Sequence, residues 1–258
     1  LLKLLRLRKI QAGANVKQDL QLIISDPKTL TQANSGFSIK SSLGATSTLF
    51  NAHVKSRFRY RVDNFEGDFQ DVNSIEGPKK VLDRVRAIKA QNGDFYYSGC
   101  RDEVFNSNLI KVDSLMPQIL GNMILSAFER RAEDVGFKFP KHLLAAENFQ
   151  RKIATLPVEL CTEHIRFKLK QLLLDCALGM TASKPWHGKH GADGGYIIVK
   201  KNAEVVCFHV FNLDDFAEFL LDQVFFETGS TGRHKFAFLY EENGQTYFDL
   251  ACQIRFNV

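Results

Sequence analysis

Cysteine pairs, long apolar runs and tryptophan are all scarce in this sequence. The five cysteines are scattered through 258 residues and none belongs to a C-x-x-C motif. This argues against a disulfide framework or a cysteine-ligated zinc site and favours a reducing compartment, the cytoplasm. The longest apolar runs, such as those at 22–24 and 196–199, are far too short to cross a membrane. One tryptophan stands against 22 phenylalanines, so we expect a core built on Phe.

The composition is that of a globular protein. Hydrophobic residues make up 45% and charged residues 24%, which excludes wholesale disorder. The formal net charge of +5 is compatible with a polyanionic partner but does not require one. The length allows one large domain or two modest ones, and we place the boundary near 150, between a core in 1–150 and a strand-rich part in 151–258.

The first residues are rich in leucine and positive charge. We expect Leu1 to Ile10 to be the end of a core-facing helix whose beginning is absent; a basic helix on a membrane surface is the alternative. The first residue is not Met, so we expect a stretch of the protein to be missing before it.

Hydrophobic periodicity predicts an α+β protein whose middle is helical and whose last third is strand-rich. Asn243-Gly244 is a strong hairpin signal, and Gly179 is expected to end a helix as a left-handed C-cap. The other predicted elements are strands at 19–25 and 37–41 joined by a roomy loop, a strand at 57–62, helices at 48–54, 77–89, 113–128, 160–178 and 214–225, and strands at 195–200, 204–211, 236–241 and 246–256.

The hairpin formed by 19–25 and 37–41 carries the most informative pattern. We predict that Asp19 lies opposite Lys40 and Gln21 opposite Ser38, because strand side chains alternate and this register puts all four polar groups on one face. The other face, facing the core, is expected to carry Leu20, Leu22, Phe37 and Ile39. A carboxylate beside an ammonium group is what metal-dependent phosphodiester hydrolysis requires. The alternative is an ordinary Asp–Lys pair on a solvated sheet face.

Two basic regions could contact nucleic acid. The segment Glu227 to Lys235 combines hydroxyls and glycines with Arg233-His234-Lys235, and Arg, Ser, Thr and Lys are common DNA ligands; an ordinary basic loop is the alternative. Alternation places Arg57, Arg59 and Arg61 on one strand face, as a phosphate-binding stripe or a solvated edge. We interpret His187 and His190 as loop residues, and the glycines at 188–195 as a turn that enters a strand.

Several stretches resemble HpaII-like type II restriction endonucleases. The segment GFSIKSSLGATSTLFNA at 36–52 resembles the active-site segment of that family, and Lys17-Gln18-Asp19-Leu20 resembles its preceding strand entry. The family's order continues through Leu178-Gly179-Met180, Trp186, Gly188, 194–200, Glu227-Thr228, Ser230-Thr231, Arg233-His234 and 253–256, and the match is patchy between 60 and 160.

This resemblance implies a PD-(D/E)xK-type nuclease core, a central mixed sheet flanked by helices with a C-terminal strand-rich DNA-recognition region. It implies that Asp19, Ser38 and Lys40 are catalytic residues. It also implies that Asp19 and the backbone carbonyl of Ile39 hold Mg²⁺, with the amide of Gln21 as a further ligand and Mn²⁺ as a substitute. Ser38 belongs to the same motif and stands where many relatives have Glu or Asp. The expected DNA contacts are Ser42, Thr48, Asn51, Ser230, Thr231, Arg233, His234 and Lys235.

The expected function is therefore cleavage of double-stranded DNA in a bacterial restriction–modification system. The resemblance suggests a palindrome such as CCGG cut to leave 5′-phosphate ends, a homodimer and a companion DNA methyltransferase. Because Ser38 removes one carboxylate, we also expect an acid from residues before Leu1 to complete the metal site. A DNA-binding protein that has lost cleavage, which would retain DNA without Mg²⁺, and a structure-selective repair nuclease remain alternatives.

Overall fold

Among the described residues, three β-sheets with helices packed against them form an α+β fold, in agreement with the expected restriction-endonuclease-like class. The computed structural model describes residues 19–26, 31–44, 47–131, 138–209, 212–227 and 229–257, so the expected helix at Leu1 to Ile10 lies outside the described residues. The described strands are β1 (Leu20–Asp26), β2 (Thr31–Ser41), β3 (Thr48–Phe50), β4 (Arg57–Asp63), β5 (Asp94–Cys100), β6 (Gly195–Val199), β7 (Val205–His209), β8 (Val224–Phe226), β9 (Leu239–Glu242), β10 (Gln245–Ala251) and β11 (Ile254–Phe256). The described helices are α1 (Phe69–Asn73), α2 (Lys80–Ala90), α3 (Glu103–Val112), α4 (Met116–Arg131), α5 (Pro140–Leu143), α6 (Glu147–Ile153), α7 (Thr162–Leu178), α8 (Leu213–Gln223) and α9 (Thr231–His234).

The first sheet is mixed and has the strand order β1-β2-β6-β7. The β1–β2 and β6–β7 pairs are antiparallel hairpins, whereas β2 and β6 are parallel. A parallel pair requires a long crossover connection, and here the chain between β2 and β6 contains most of the helices.

The other two sheets join distant parts of the chain. The second has the order β5-β4-β10-β9 and the third the order β3-β11-β8, all antiparallel. Helix α4 packs against the second sheet and is almost entirely buried, and the hydroxyl of Tyr60 on β4 donates a hydrogen bond to the Gly121 carbonyl in that helix at 2.7 Å. Among the described residues, no helix is both long and apolar enough to cross a membrane.

Two hairpins follow their turn chemistry as predicted. Asn243 and Gly244 join β9 to β10 with φ values of 54° and 72°, the double left-handed conformation that an Asn-Gly turn favours. The β6–β7 hairpin turns at 200–204, and Ala203 in that turn also has a positive φ of 64°.

Three local predictions were wrong. Residues 48–50 form a strand rather than the start of a helix, because they pair with β11 and these residue types favour a sheet once a partner is present. The loop after β1 is shorter than expected, since β2 begins at Thr31. Gly179 ends α7 with an extended φ of 174° rather than a left-handed one. The position requires a glycine because a Cβ there would lie 2.8 Å from the Lys189 carbonyl oxygen.

Candidate functional site

The β1–β2 hairpin forms with a register two residues away from the predicted one. Leu20 lies opposite Phe37 and Gln21 opposite Gly36, and the Asp19 amide donates to the Phe37 carbonyl at 2.7 Å. Asp19 therefore adjoins Ser38 rather than Lys40. A shift of two residues keeps each side chain on the same face of the sheet. The polar groups therefore share one face as predicted, but the cross-strand pairs differ from the predicted ones.

The face that carries Ser38 and Lys40 turned out to be the inner face of this sheet. Ser38 aligns with Tyr196 on β6 and then with Phe208 on β7, and Phe208 packs against Phe216 of α8 with ring centroids 5.0 Å apart. The opposite face, which we expected to meet the core, buries Phe37 but leaves Leu20 39% and Ile39 38% exposed. Two strands alone do not reveal which face a distant helix will cover.

The Asp19 carboxylate is fixed by the strand beside it. Its Oδ2 atom accepts a hydrogen bond from the Ile39 amide at 2.7 Å and a longer one from the Ser38 hydroxyl at 3.3 Å. Asp19 itself is exposed, whereas Ser38 is fully buried. The carboxylate is thus oriented at an accessible edge of the sheet.

Lys40 is half-buried on the same face as Ser38. Burial lowers the pKa of its ammonium group, and the negative charge of Asp19 acts in the opposite direction. A lowered pKa favours the neutral amine, which can accept a proton.

Tyr196 is a site residue that the sequence pattern did not single out, because it stands within the apolar run GYIIV. Its side chain is 1% exposed and lies beside Ser38 across the parallel β2–β6 pair. Gly195, the preceding residue, lets β6 lie close to β7: a Cβ at that position would lie 2.3 Å from the Phe208 carbonyl oxygen, and its φ of 150° disfavours other residues.

The oxygen donors at this edge are of the type that Mg²⁺ prefers. Asp19 contributes a carboxylate oxygen, and Gln21 is exposed two residues further along the same face. The Ile39 amide faces β1, and the carbonyl of a strand residue points to the same side as its amide. In the described part of the chain, however, no group of three or more His, Cys, Asp or Glu side chains could hold a metal. These oxygen atoms are chemically suited to a hard cation. The carboxylate of Asp19 is the charged one among them, and the others are neutral.

A second cluster forms where β3 and β8 end. Both strands pair antiparallel with β11, so Ile254 faces Phe50 on one side and Phe226 on the other. The segments that follow, 51–56 and 227–235, therefore leave the sheet at the same end. They touch there, because a Cβ on Gly229 would lie 2.7 Å from the Cβ of Ala52.

The expected DNA contacts divide between exposed and buried side chains. Asn51, Ser230, Arg233 and Lys235 are exposed, and His234 is half-buried with a pKa lowered by burial, then by Arg233 and His53. The Ser230 hydroxyl caps α9 by accepting from the Arg233 amide at 3.4 Å. Thr231 and Ser42 are buried, and the Thr48 hydroxyl accepts from Arg255 at 3.4 Å, so these three face protein in this structure.

The arginine stripe on β4 is already paired with carboxylates. Arg57 lies 3.6 Å from Asp249, Arg59 bonds to Glu242, and Arg61 makes two 2.8 Å hydrogen bonds to Asp63. Neither a free phosphate-binding stripe nor a solvated edge describes these residues well.

His190 is also held by a carboxylate that sequence reasoning did not identify. Its Nε2 lies 3.3 Å from the Asp175 Oδ1, and burial raises the Asp175 pKa. Asp193, a few residues on, accepts from the Gly36 amide at 2.7 Å and ties this loop to β2. The loop thereby supports the strand that carries Ser38 and Lys40.

Comparison with known proteins gives one consistent result. The family model described as HpaII restriction endonuclease matches residues 1–256. The type II restriction enzyme HpaII of Haemophilus parainfluenzae is 30% identical over 258 residues, which cover 99% of this chain and 69% of that enzyme. No solved structure matches the chain significantly.

Proposed function

Since the chain belongs to the HpaII restriction endonuclease family and is therefore a site-specific deoxyribonuclease, we propose that the Asp19–Lys40 edge of the first sheet is its active site. The observation that carries this proposal is the clustering of an oriented carboxylate, a strand carbonyl and a lysine of lowered pKa on one hairpin. We infer Mg²⁺-dependent hydrolysis of one phosphodiester in each strand, leaving 5′-phosphate and 3′-hydroxyl ends.

Asp19 and the Ile39 carbonyl would hold the cation, with Gln21 as a further neutral ligand. A bound Mg²⁺ would polarise the phosphate and neutralise the charge that develops on it. The hydrogen bonds from Ile39 and Ser38 keep Asp19 in one orientation, so the carboxylate does not have to reorganise when DNA arrives.

Lys40 would act on the attacking water. As a neutral amine it can take up the proton that the water loses when its oxygen bonds to phosphorus, while the bond from phosphorus to the 3′-oxygen breaks and that oxygen takes a proton from solvent. As an ammonium it stabilises the negative charge of the phosphate and orients the same water. Either role requires the position that Lys40 has, beside the metal-binding edge but shielded from bulk solvent.

The cluster formed by 51–56 and 227–235 would contact DNA. Arg233 is exposed near Asn51, and arginine reads guanine edges through two parallel hydrogen bonds. The site CCGG contains guanines on both strands, which suits one such arginine from each copy of a two-fold homodimer. In the cytoplasm of a bacterium, this activity would require a companion methyltransferase that protects the host's own sites.

Replacing Lys40 with alanine tests the proposed site. General-base catalysis contributes roughly 10²–10⁴-fold, so Lys40→Ala should reduce single-turnover cleavage by at least about 100-fold. Specific binding should be nearly unchanged, because Lys40 does not read bases. Gel-shift and cleavage assays on one duplex, and mapping of wild-type cuts in a plasmid of known sequence, provide the measurements.

Lys141→Ala is the matched control, since Lys141 pairs with Asp222 on the surface and belongs to neither cluster. It should leave both assays unchanged. Cleavage by Lys40→Ala within about tenfold of wild type would remove Lys40 from the mechanism. If the wild-type enzyme cuts outside CCGG, the proposed recognition sequence is wrong, but the proposed active site is unaffected.

A further inference from the structure

The Tyr196 hydroxyl is buried beside the proposed active site without a hydrogen-bond partner. Its side chain is 1% exposed, and its oxygen finds no partner in hydrogen-bond geometry within the described structure. The ring packs against Phe216 and Phe256, with centroids 4.9 and 6.2 Å away. Ring packing therefore explains the aromatic side chain but not its hydroxyl.

An unpartnered buried hydroxyl destabilises a folded protein, and phenylalanine would fill the same space without that cost. Packing and strict hydrogen-bond geometry therefore do not account for the Tyr196 hydroxyl. Its neighbour across the strand pair is Ser38, which is close enough to influence the titration of the tyrosine. Burial keeps this hydroxyl protonated by raising its pKa, so it remains a donor.

Ser38 connects this tyrosine to the proposed metal ligand. The Ser38 hydroxyl donates to the Asp19 Oδ2 at 3.3 Å, which is long for an O–H···O bond. A serine hydroxyl can accept one hydrogen bond while donating another, and bonds in such a chain strengthen one another. A small movement of the Tyr196 hydroxyl towards Ser38 would complete the chain Tyr196–Ser38–Asp19.

We propose that Tyr196 is a positioning residue that acts through Ser38 to hold the Asp19 carboxylate in its metal-binding orientation. This inference rests on the proposed function, because it takes Asp19 as the metal ligand. Groups that orient a ligand in this way typically change metal affinity or activity by roughly 10–100-fold.

Tyr196→Phe tests the inference by separating stability from metal binding. The variant should unfold at the same or a higher temperature than wild type, because it loses an unpartnered hydroxyl. It should bind Mn²⁺ roughly 10-fold more weakly, measured from the free-ion signal in electron paramagnetic resonance without DNA. Single-turnover cleavage at low Mg²⁺ should fall similarly and recover as the Mg²⁺ concentration rises.

Tyr60→Phe is the matched control. Tyr60 is fully buried too, but its hydroxyl bonds to the Gly121 carbonyl. The Tyr60→Phe variant should unfold at a lower temperature than wild type and bind Mn²⁺ with unchanged affinity. Tyr196→Phe should show the reverse pattern.

Ser38→Ala and the double variant check the route through Ser38. Once Ser38→Ala has broken the chain, adding Tyr196→Phe should cause no further loss of affinity. Mn²⁺ affinity and low-Mg²⁺ cleavage of Tyr196→Phe within about twofold of wild type would overturn the inference, and so would equal, additive losses in the double variant. Asp19→Asn distinguishes the two proposals. Unchanged Mn²⁺ binding by Asp19→Asn would refute the proposed metal site itself. Weaker Mn²⁺ binding by Asp19→Asn together with unchanged binding by Tyr196→Phe would refute only the role of the tyrosine.

Discussion

Asp249 is a buried carboxyl group on β10 whose pKa burial raises to about 6. The Tyr240 hydroxyl donates to it at 2.8 Å, and Arg57 and Arg101 lie 3.6 and 3.5 Å away. Tyr240, Arg57 and Arg59 pull the pKa downward, but the loss of hydration outweighs them. The charged form of Asp249 is therefore less stable in the folded protein than in the unfolded chain.

This raised pKa predicts a pH dependence of stability. Because the folded state binds the proton more tightly than the unfolded state does, Asp249 stabilises the protein at low pH, and this contribution is lost as the pH rises through about 6. Urea unfolding of wild type and Asp249→Asn at about pH 4 and pH 7 should show the wild type losing up to about 3 kcal/mol relative to the variant. A relative gain by the wild type at the higher pH would mean that the arginines dominate.

The shared face of the proposed active-site residues could be predicted from alternation, but their partners could not. Ser38 and Lys40 share one face because side chains alternate along a strand. Asp19 joins them because the register differs from the predicted one by an even number of residues. The pairing of Asp19 with Ser38 depends on the turn between β1 and β2, which the sequence pattern did not define. The sequence pattern did not identify Tyr196, because its position beside Ser38 depends on the pairing of β2 with β6.

At the scale of elements, the short helix α9 presents Arg233 at the same end of the third sheet as Asn51. The Ser230 hydroxyl caps α9 at one end, and at the other Lys235 adopts a left-handed conformation with φ 50°. The Lys235 carbonyl accepts from Arg57 at 2.6 Å, so the helix is tied to β4. Both ends of the element that carries Arg233 are thus held in place.

Arg233→Ala should weaken specific DNA binding by about 1–3 kcal/mol if this side chain reads a guanine, and it should relax the preference at one base pair. The measurement is a set of gel shifts with the specific duplex, its single-base variants and unrelated DNA. Arg151→Ala, an exposed arginine on α6, serves as the control and should bind as wild type does. An equal loss on every sequence, with a shallower salt dependence, would reassign Arg233 to a phosphate, and unchanged affinity would exclude it from the interface.

The elements that could be predicted are those whose signal is local. The Asn-Gly hairpin and the long helices α4 and α7 depend on turn chemistry and helical spacing within one segment. The strand at 48–50 could not be predicted, because its three residues form a strand only through pairing with β11, more than two hundred positions away. Which face of the first sheet is buried likewise could not be predicted, because it depends on packing against the distant helix α8.

On the scale of the whole molecule, every sheet combines strands from both sides of position 150, where the sequence suggested a boundary. The first joins β1 and β2 to β6 and β7, and the others likewise join N-terminal strands to C-terminal ones. Buried side chains from Leu49 to Phe256 form one hydrophobic cluster. We therefore propose that 1–150 and 151–258 are packed together as one domain.

A single cooperative unfolding transition would follow from this packing, although chains of this length often unfold through intermediates. Trp186, the one tryptophan, reports on the junction, because its backbone amide donates to Asn108 at 2.8 Å and its carbonyl accepts from Lys111 at 2.6 Å, both on α3. Urea titrations followed by tryptophan fluorescence and by far-ultraviolet circular dichroism should give the same midpoint. In Trp186→Phe the fluorescence transition should disappear, and its dichroism curve shows whether the substitution itself shifts the midpoint. Two separate midpoints in the wild type would instead mean that the C-terminal strands detach before the helices unfold, and that the boundary near 150 divides independent domains.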